Sequence, residues 1–450
     1  MKVDPAPSES SPSSPGELPL SLVLRVFIPF AAGYFLSYLY RTINAVLAPE
    51  LVADLHLDAA ALGLLTSVYF LTFAAFQLPL GVLLDRFGPH RVEGLLLLLA
   101  AGGATLFAVS GGMEELVLGR ALIGLGVSAC LMASLKTFVM WFPPQRLPAV
   151  NGWVMAFGGL GALMATAPVE LALSLTSWRG VFGGLAVLTL ALAAILFLVV
   201  PDHPPAGGGG NWREQLRGIV GIYTSRVFWR LAPISLLAMS AYMAIQGLWA
   251  GPYLRDVGGL DRLAVADLLF WVAAGMVAGF LSMGTLAYRL SHLGIPVVVV
   301  SVGGMGVFMA LQLVIASGFA GGNPLVWVGF GFFGTAGNLT YAILSQSFPR
   351  HLAGRVNTAL NLLVFIGAFV LQWGLGAVIG LWPLATGGYA LAGYRVAFGA
   401  ALALQVVALG WFWYASHASR DPGRPSQDNH ASHASHHSCR DPDRGTELKP

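Results

Sequence analysis

Twelve apolar stretches, each close to the length of a lipid hydrocarbon core, run through this chain and constrain its fold more tightly than any other feature. A core of about 30 Å needs roughly 20 apolar residues per helix, because backbone polar groups in lipid must be bonded within their own segment. Runs of that kind lie near 22–48, 61–84, 92–110, 115–139, 150–173 and 179–200, and then near 231–254, 264–287, 294–316, 323–347, 356–380 and 392–414. The least regular are the exit of the fourth, which holds Lys136, and the eleventh, which glycine interrupts. Charged residues are only 10% of the chain and hydrophobic ones 56%, whereas a water-soluble globule carries about 25% charged residues. The expectation is an all-α membrane protein with twelve transmembrane helices in two six-helix pseudo-symmetric halves.

Lys and Arg near helix ends are retained on the cytosolic side of a membrane, which tests the orientation. With the N-terminus inside, Arg86, Arg91, Arg146, Arg213, Arg217, Arg226, Arg230, Arg289, Arg350 and Arg355 fall inside, and only Arg179, Arg255, Arg262 and Arg395 outside. Both termini are therefore expected in the cytoplasm of a cell membrane, the inner one in a Gram-negative bacterium. Residues 1–20 are Pro/Ser-rich with a single lysine, unlike a signal or transit peptide, and read as a disordered cytosolic lead. Residues 21–200 and 231–414 form the two six-helix bundles. Between them, 201–230 carries PDHPPAGGGG and then an amphipathic run in which Asn211 and Glu214 have capping-box spacing, as in a short helix lying on the membrane surface.

An internal repeat supports the division. FPPQRLPAVN (142–151) and FPRHLAGRVN (348–357) align without gaps at an offset of 206, and Gly161 and Ala162 then coincide with Gly367 and Ala368. Parallel repeats of this kind occur in carriers whose halves rock about a midplane site.

After the second span the chain reads Gly81-Val-Leu-Leu-Asp85-Arg86-Phe87-Gly88-Pro89-His90-Arg91. This resembles the G-x-x-x-D-R-x-G-x-R loop of the major facilitator superfamily, in which the glycine permits close helix contact and the Asp and Arg lock the inner gate. Gly81, Asp85, Arg86, Gly88 and Arg91 take those roles by resemblance. The second half keeps only Gly284 and Arg289 of the pattern. On the fourth span, Gly119-Arg120-Ala-Leu-Ile-Gly124-Leu-Gly126 is similar to the superfamily's R-x-x-x-G-x-G pattern. Arg120 is read as a charge-coupling residue, the alternative being snorkelling to the outer interface.

Arg41 carries the most information about the solute. It follows Arg25 by sixteen residues, which at about 1.5 Å each sets it roughly 24 Å across the membrane. Its context, Tyr40-Arg41-Thr-Ile-Asn44-Ala-Val-Leu-Ala-Pro49, resembles the helix 1 ending of the organophosphate antiporters and anion:cation symporters, where the matching arginine binds the anionic group. A guanidinium fork suits carboxylate or phosphate in a site of lowered dielectric. The alternative is again snorkelling. Tyr38 and Tyr34, three and seven residues earlier, share its face. Phosphate carriers of that kind add an arginine on helix 7, whereas residues 240–254 here supply Tyr242, Gln246 and Trp249 and no cation in the middle of the span. The nitrate carriers' paired arginines on helices 2 and 8 are missing too. A monocarboxylate is expected over a doubly charged phosphate. Tyr69, Asn338, Tyr341, Asn357 and Asn361 are further pocket candidates, each equally readable as a helix-packing polar group.

Lys136 has two readings, reach into the cavity or snorkelling to the cytosol, and nearby Trp141 favours the second. Beyond Arg120 the fourth span holds no carboxylate, so Glu93 and Glu170 are the candidates for ion coupling. The His-rich tail, 415–450, reads as a disordered low-complexity segment in preference to a metal site. Cys130 and Cys439 offer neither a disulfide framework nor zinc spacing. No phosphate loop, H-E-x-x-H or G-x-S-x-G occurs, so neither enzyme chemistry, nor a cofactor, nor nucleic-acid binding is expected. The reading is a monomeric secondary transporter of a small organic anion, moving it by alternating access with a coupled proton or other ion. Two alternatives stand beside it: an exporter of amphipathic compounds, and a sensor of this fold that binds solute and transports nothing.

Overall fold

The computed structural model describes residues 20–143, 146–202, 218, 220–349, 352–385 and 387–418. The N-terminal lead, most of the expected surface helix over 211–223 and the His-rich tail beyond residue 418 lie outside them. Among the described residues the regular elements are helices, with no strand. Its elements are α1 (Leu20–Thr42), α2 (Asn44–Leu55), α3 (Ala59–Phe87), α4 (Pro89–Val109), α5 (Met113–Trp141), α6 (Leu147–Met164), α7 (Ala167–Leu175) and α8 (Trp178–Leu198), followed by α9 (Arg226–Asp256), α10 (Arg262–His292), α11 (Val297–Ser317), α12 (Pro324–Phe333), α13 (Leu339–Ser347), α14 (Ala353–Ile379) and α15 (Leu391–Ala418).

Ten of these helices are long and apolar enough to cross a membrane, and α6 with α7, bent by 43° at residues 165–166, makes an eleventh. The stretch expected over 323–347 is instead two short helices, α12 and α13, joined through a 3-10 turn at Ala336–Asn338. The eleventh stretch, where glycines suggested a break, is one continuous helix of 27 residues. Its glycines lie among good helix formers, and neighbouring helices support the backbone that glycine alone would loosen.

Helix starts at one end of the molecule are fixed by side-chain caps. Asp58 accepts from the Ala61 amide at 2.7 Å, Asp261 from Ala264 at 2.8 Å and Asn323 from Leu325 at 3.0 Å. At the opposite end, Gly88 turns α3 into α4 at φ +83°, a conformation that side chains resist. We refer to these as the Arg262 end and the Asp85 end. Around the bundle, Leu95, Leu171, Leu188, Trp271 and Val407 are exposed, forming an apolar outer surface that only lipid can cover.

The sequence repeat has a packing counterpart. A Cβ at Gly161 would strike the Phe35 carbonyl oxygen on α1, and one at Gly367 would strike the Ser240 hydroxyl on α9. Matching positions of the repeat thus pack closely against α1 and α9, and α3 packs along α14.

Candidate functional site

A cavity of about 390 Å³ lies at the centre of the bundle. The helices that line it are irregular at that level. In α5, turn backbone interrupts the helix between Gly126 and Cys130, in α9 a π-helical stretch runs over Ile245–Trp249, and α12 gives way to α13 at Gly334–Asn338. Such breaks inside lipid are tolerated where the backbone lines a cavity or is held by neighbours. They present Ser128, Gln246, Gly334 and Asn338 to the cavity. Gly334 seats the Tyr242 ring, because a Cβ there would overlap it.

Arg41 reaches the cavity from α1. Its guanidinium lies 4.4 Å from the Tyr38 ring centroid, 5.1 Å from Phe365 and 5.6 Å from Phe73. Phe73 and Phe365 stack on each other from α3 and α14, with centroids 4.1 Å apart and planes at 12°. Among the described residues no carboxylate pairs with Arg41, and its Nε has no hydrogen-bond partner. A half-buried cation held by aromatic faces and the Tyr69 hydroxyl, with no carboxylate beside it among the described residues, is a receptive position for an anion.

Tyr34, Tyr38, Tyr242, Gln246, Asn338, Tyr341, Asn357 and Asn361 also line the cavity. Part of this polar set is internally bonded: Tyr341 donates to Asn361 Oδ1 at 2.9 Å, and Asn361 Nδ2 reaches Gln77 Oε1 across the bundle at 3.3 Å. Tyr69 does not line it. Its hydroxyl donates to the Ser37 carbonyl at 3.1 Å and its ring stacks on Phe73, so it backs the Arg41 wall from behind. Sequence reasoning missed Phe73, Gln77, Phe280 and Phe365 and five methionines: Met132, Met155, Met239, Met243 and Met276. In spans that are apolar all round, no periodicity marks which apolar residues face inward.

The coupling candidates separate. Arg120 is fully buried, donates to the Tyr40 carbonyl at 2.8 Å and sits over the rings of Phe107 and Phe182, with no carboxylate beside it. Glu93 is fully buried, with both oxygens unpartnered, against Gly33 of α1 and Cys130 of α5. Glu170 lies at the far surface with Glu50, where Arg262 bonds to both.

The motif residues gather at the Asp85 end. Asp85 pairs with Lys136, and Asp202 receives Arg91 at 2.9 Å and His90 at 3.0 Å. Gly88 makes the turn, Arg86 lies 5.3 Å from the Phe87 ring centroid, and Gly81 is half-buried one turn before Asp85. Lys136 therefore neither lines the cavity nor simply snorkels. A partly buried ammonium gains more from a carboxylate at bonding distance than from interfacial water.

A helical membrane bundle with a central, charged and aromatic cavity and broken helices around it has the architecture of a solute carrier. The chain belongs to the Major Facilitator Superfamily, whose family model matches residues 30–372. Among relatives, it is 22% identical over 409 residues to the hexuronate transporter of Bacillus subtilis, covering 88% of this chain and 95% of that one. It is 26% identical over 171 residues to the probable sulfoacetate transporter SauU of Cupriavidus necator. That match spans 40% of the relative, and the match to a nitrate/nitrite transporter of Picosynechococcus spans 43%, so the chain aligns with about two fifths of each. Among solved structures, a bacterial homologue of the human lysosomal transporter Spinster superposes with a TM-score of 0.70 at 18% identity, covering 91% of this chain and all of that one. These named relatives and neighbours are transporters, and none is an enzyme.

Proposed function

We propose that the protein is a secondary active transporter of a small organic anion such as a monocarboxylate, working by alternating access between two six-helix halves. The α12–α13 pair supplies the twelfth span, and both termini lie in the cytoplasm of the cell membrane. The observation that carries the reading is Arg41, a cation in a central cavity with aromatic faces around it and no carboxylate partner. Relatives named for hexuronate, sulfoacetate and nitrate/nitrite transport agree with an anionic cargo.

The conformation fits an inward-facing state. At the Arg262 end, Arg262 ties α10 to Glu50 and Glu170, and Trp249 Nε1 donates to the Gln372 carbonyl at 2.9 Å beneath the closure. Toward the Asp85 end, the cavity lies between Leu135 of α5 and Tyr341 of α13, helices that have no extensive packing against each other. Of the two coupling carboxylates, Glu170 is engaged in the closure and Glu93 is left as the protonatable group.

The test is counterflow of radiolabelled carboxylates in proteoliposomes. Exchange that Arg41→Ala removes supports the reading. Solute binding without any counterflow identifies a sensor. Exchange of amphipathic compounds that survives Arg41→Ala replaces the anion carrier with an exporter whose methionine-lined pocket adapts to many shapes.

A further inference from the structure

The hydrogen-bonding groups of the cavity divide into those already used and those left open, and the division narrows the solute. Gln77 donates to the Ser128 carbonyl at 3.3 Å and accepts from Asn361, whose own oxygen takes the Tyr341 hydroxyl. Asn357 accepts from Ser345 at 2.9 Å, Asn338 donates to the Thr335 carbonyl at 2.9 Å, and the Tyr34 hydroxyl points at the Met155 sulfur at 3.7 Å. The polar row on α3, α13 and α14 is partly bonded within itself, and the Asn338 Oδ1 and Asn357 Nδ2 remain available at the cavity wall.

Four further polar side chains line the cavity. The Arg41 Nε and the Tyr242 hydroxyl have no partner, and Tyr38, whose hydroxyl lies within bonding reach of Tyr34, and Gln246 line the cavity with them. All four sit on α1 and α9. These helices face each other closely at this level, since a Cβ on Gly247 would lie 3.7 Å from the Arg41 carbonyl oxygen. All four line one cavity, in which Arg41 is the one Lys or Arg among the lining residues.

Elsewhere the wall is thioether and ring: Met132, Met155, Met239, Met243 and Met276, with Phe280. Sulfur is polarizable and packs well on apolar and aromatic groups, and it is a weak hydrogen-bond acceptor. A solute hydroxyl laid on that wall loses water and gains little in return. The cavity's 390 Å³ lies toward the low end of the ~300–1,000 Å³ of small-molecule sites, which suits a compact molecule.

We infer that the solute is a compact monocarboxylate with an apolar, aromatic or branched body and few further hydrogen-bonding groups. The carboxylate sits on Arg41, a further polar group meets Tyr242 or Gln246, and the body lies on the methionines. This rests on the anion-carrier reading of the same cavity and separates the chain from its relatives named for hexuronate transport, a solute that carries several hydroxyls.

The experiment measures binding of phenylacetate, hexanoate and glucuronate to the purified full chain by calorimetry, with wild type, Arg41→Ala and the near-isosteric Met243→Gln. Phenylacetate and hexanoate are expected to bind at least about tenfold more tightly than glucuronate. Met243→Gln should narrow that ratio by putting an amide into the apolar wall. Glucuronate binding as tightly as phenylacetate, with both lost in Arg41→Ala, overturns this inference and leaves the anion carrier standing. Binding of all three that is unchanged in Arg41→Ala, or no binding of any, overturns the carrier reading and the inference together.

Discussion

Lys136 and Asp85 form an ion pair that joins α5 to the end of α3 at the turn into α4. Leu135, its neighbour in sequence, lines the cavity, so the pair ties the motif loop to a cavity-lining helix. Asp85→Asn is expected to slow counterflow more than tenfold while changing thermal stability by less than ~1 kcal/mol, because both side chains are partly solvated. Lys136→Met in the same background should add little, and a double-mutant cycle reads the coupling. Additive losses in rate would mean that the two residues act separately.

At the other end, Arg262 bonds to Glu50 and Glu170 at once. In the proposed alternating-access cycle these contacts exist only while that face is closed and bias the equilibrium toward the closed form. Arg262→Gln should raise the labelling rate of an Ala45→Cys probe by an impermeant maleimide added outside severalfold. Unchanged labelling would assign the clamp to stability alone.

Close by, Asp54 accepts from Trp178 Nε1 at 2.9 Å and from Arg179 at 2.7 Å, and these partners hold its carboxyl below the usual aspartate range. A depressed folded value contributes stability above the unfolded value of ~3.9, which is lost as pH falls through the folded value. Thermal melts of wild type should therefore fall below about pH 4 by more than those of Asp54→Asn. Parallel melting curves for the two proteins would refute the linkage.

Arg41 is held by ring faces, with centroids 4.4, 5.1 and 5.6 Å from its guanidinium. Arg41→Lys keeps the charge but loses the planar fork and most of the stacking. Anion affinity is expected to fall about tenfold in the lysine variant and about a hundredfold in Arg41→Ala, or ~1.4 and ~2.7 kcal/mol. Calorimetry with the tightest-binding carboxylate checks both steps, and a lysine variant equal to wild type would show that charge alone suffices.

How far the sequence carried this reading depended on what each residue had to signal. Arg41 and Arg120 stood out because a charge in an apolar run needs a reason, and Asp85 with Gly88 because the motif is local. The α12–α13 break at Gly334–Asn338 was not legible. Its glycines resemble those that leave α14 unbroken, and the difference lies in the Tyr242 ring that presses on Gly334 from another helix. The methionine wall and the Phe73–Phe365 stack were silent for the same reason. Their inward orientation is a property of helix rotation, and spans that are apolar all round do not encode rotation in composition.

Glu93 gives the most direct test of coupling. Its carboxyl is buried, both oxygens lack partners, and its nearest neighbours are the Gly33 backbone of α1 and Cys130 of α5, with no cation paired to it among the described residues. An ionised carboxylate without a partner is costly there, so movement between its two states needs a proton. It sits eight residues before Arg41's level on α1, through Gly33, and loss or gain of its charge therefore bears on the helix that holds the anion site. Glu93→Gln should keep solute counterflow within about twofold of wild type and abolish accumulation driven by an imposed pH gradient. Calorimetric affinity measured across pH distinguishes coupling from misfolding, because a folded, uncoupled variant binds its carboxylate with a flat profile where wild type does not. Accumulation that persists in Glu93→Gln would remove Glu93 from the coupling path.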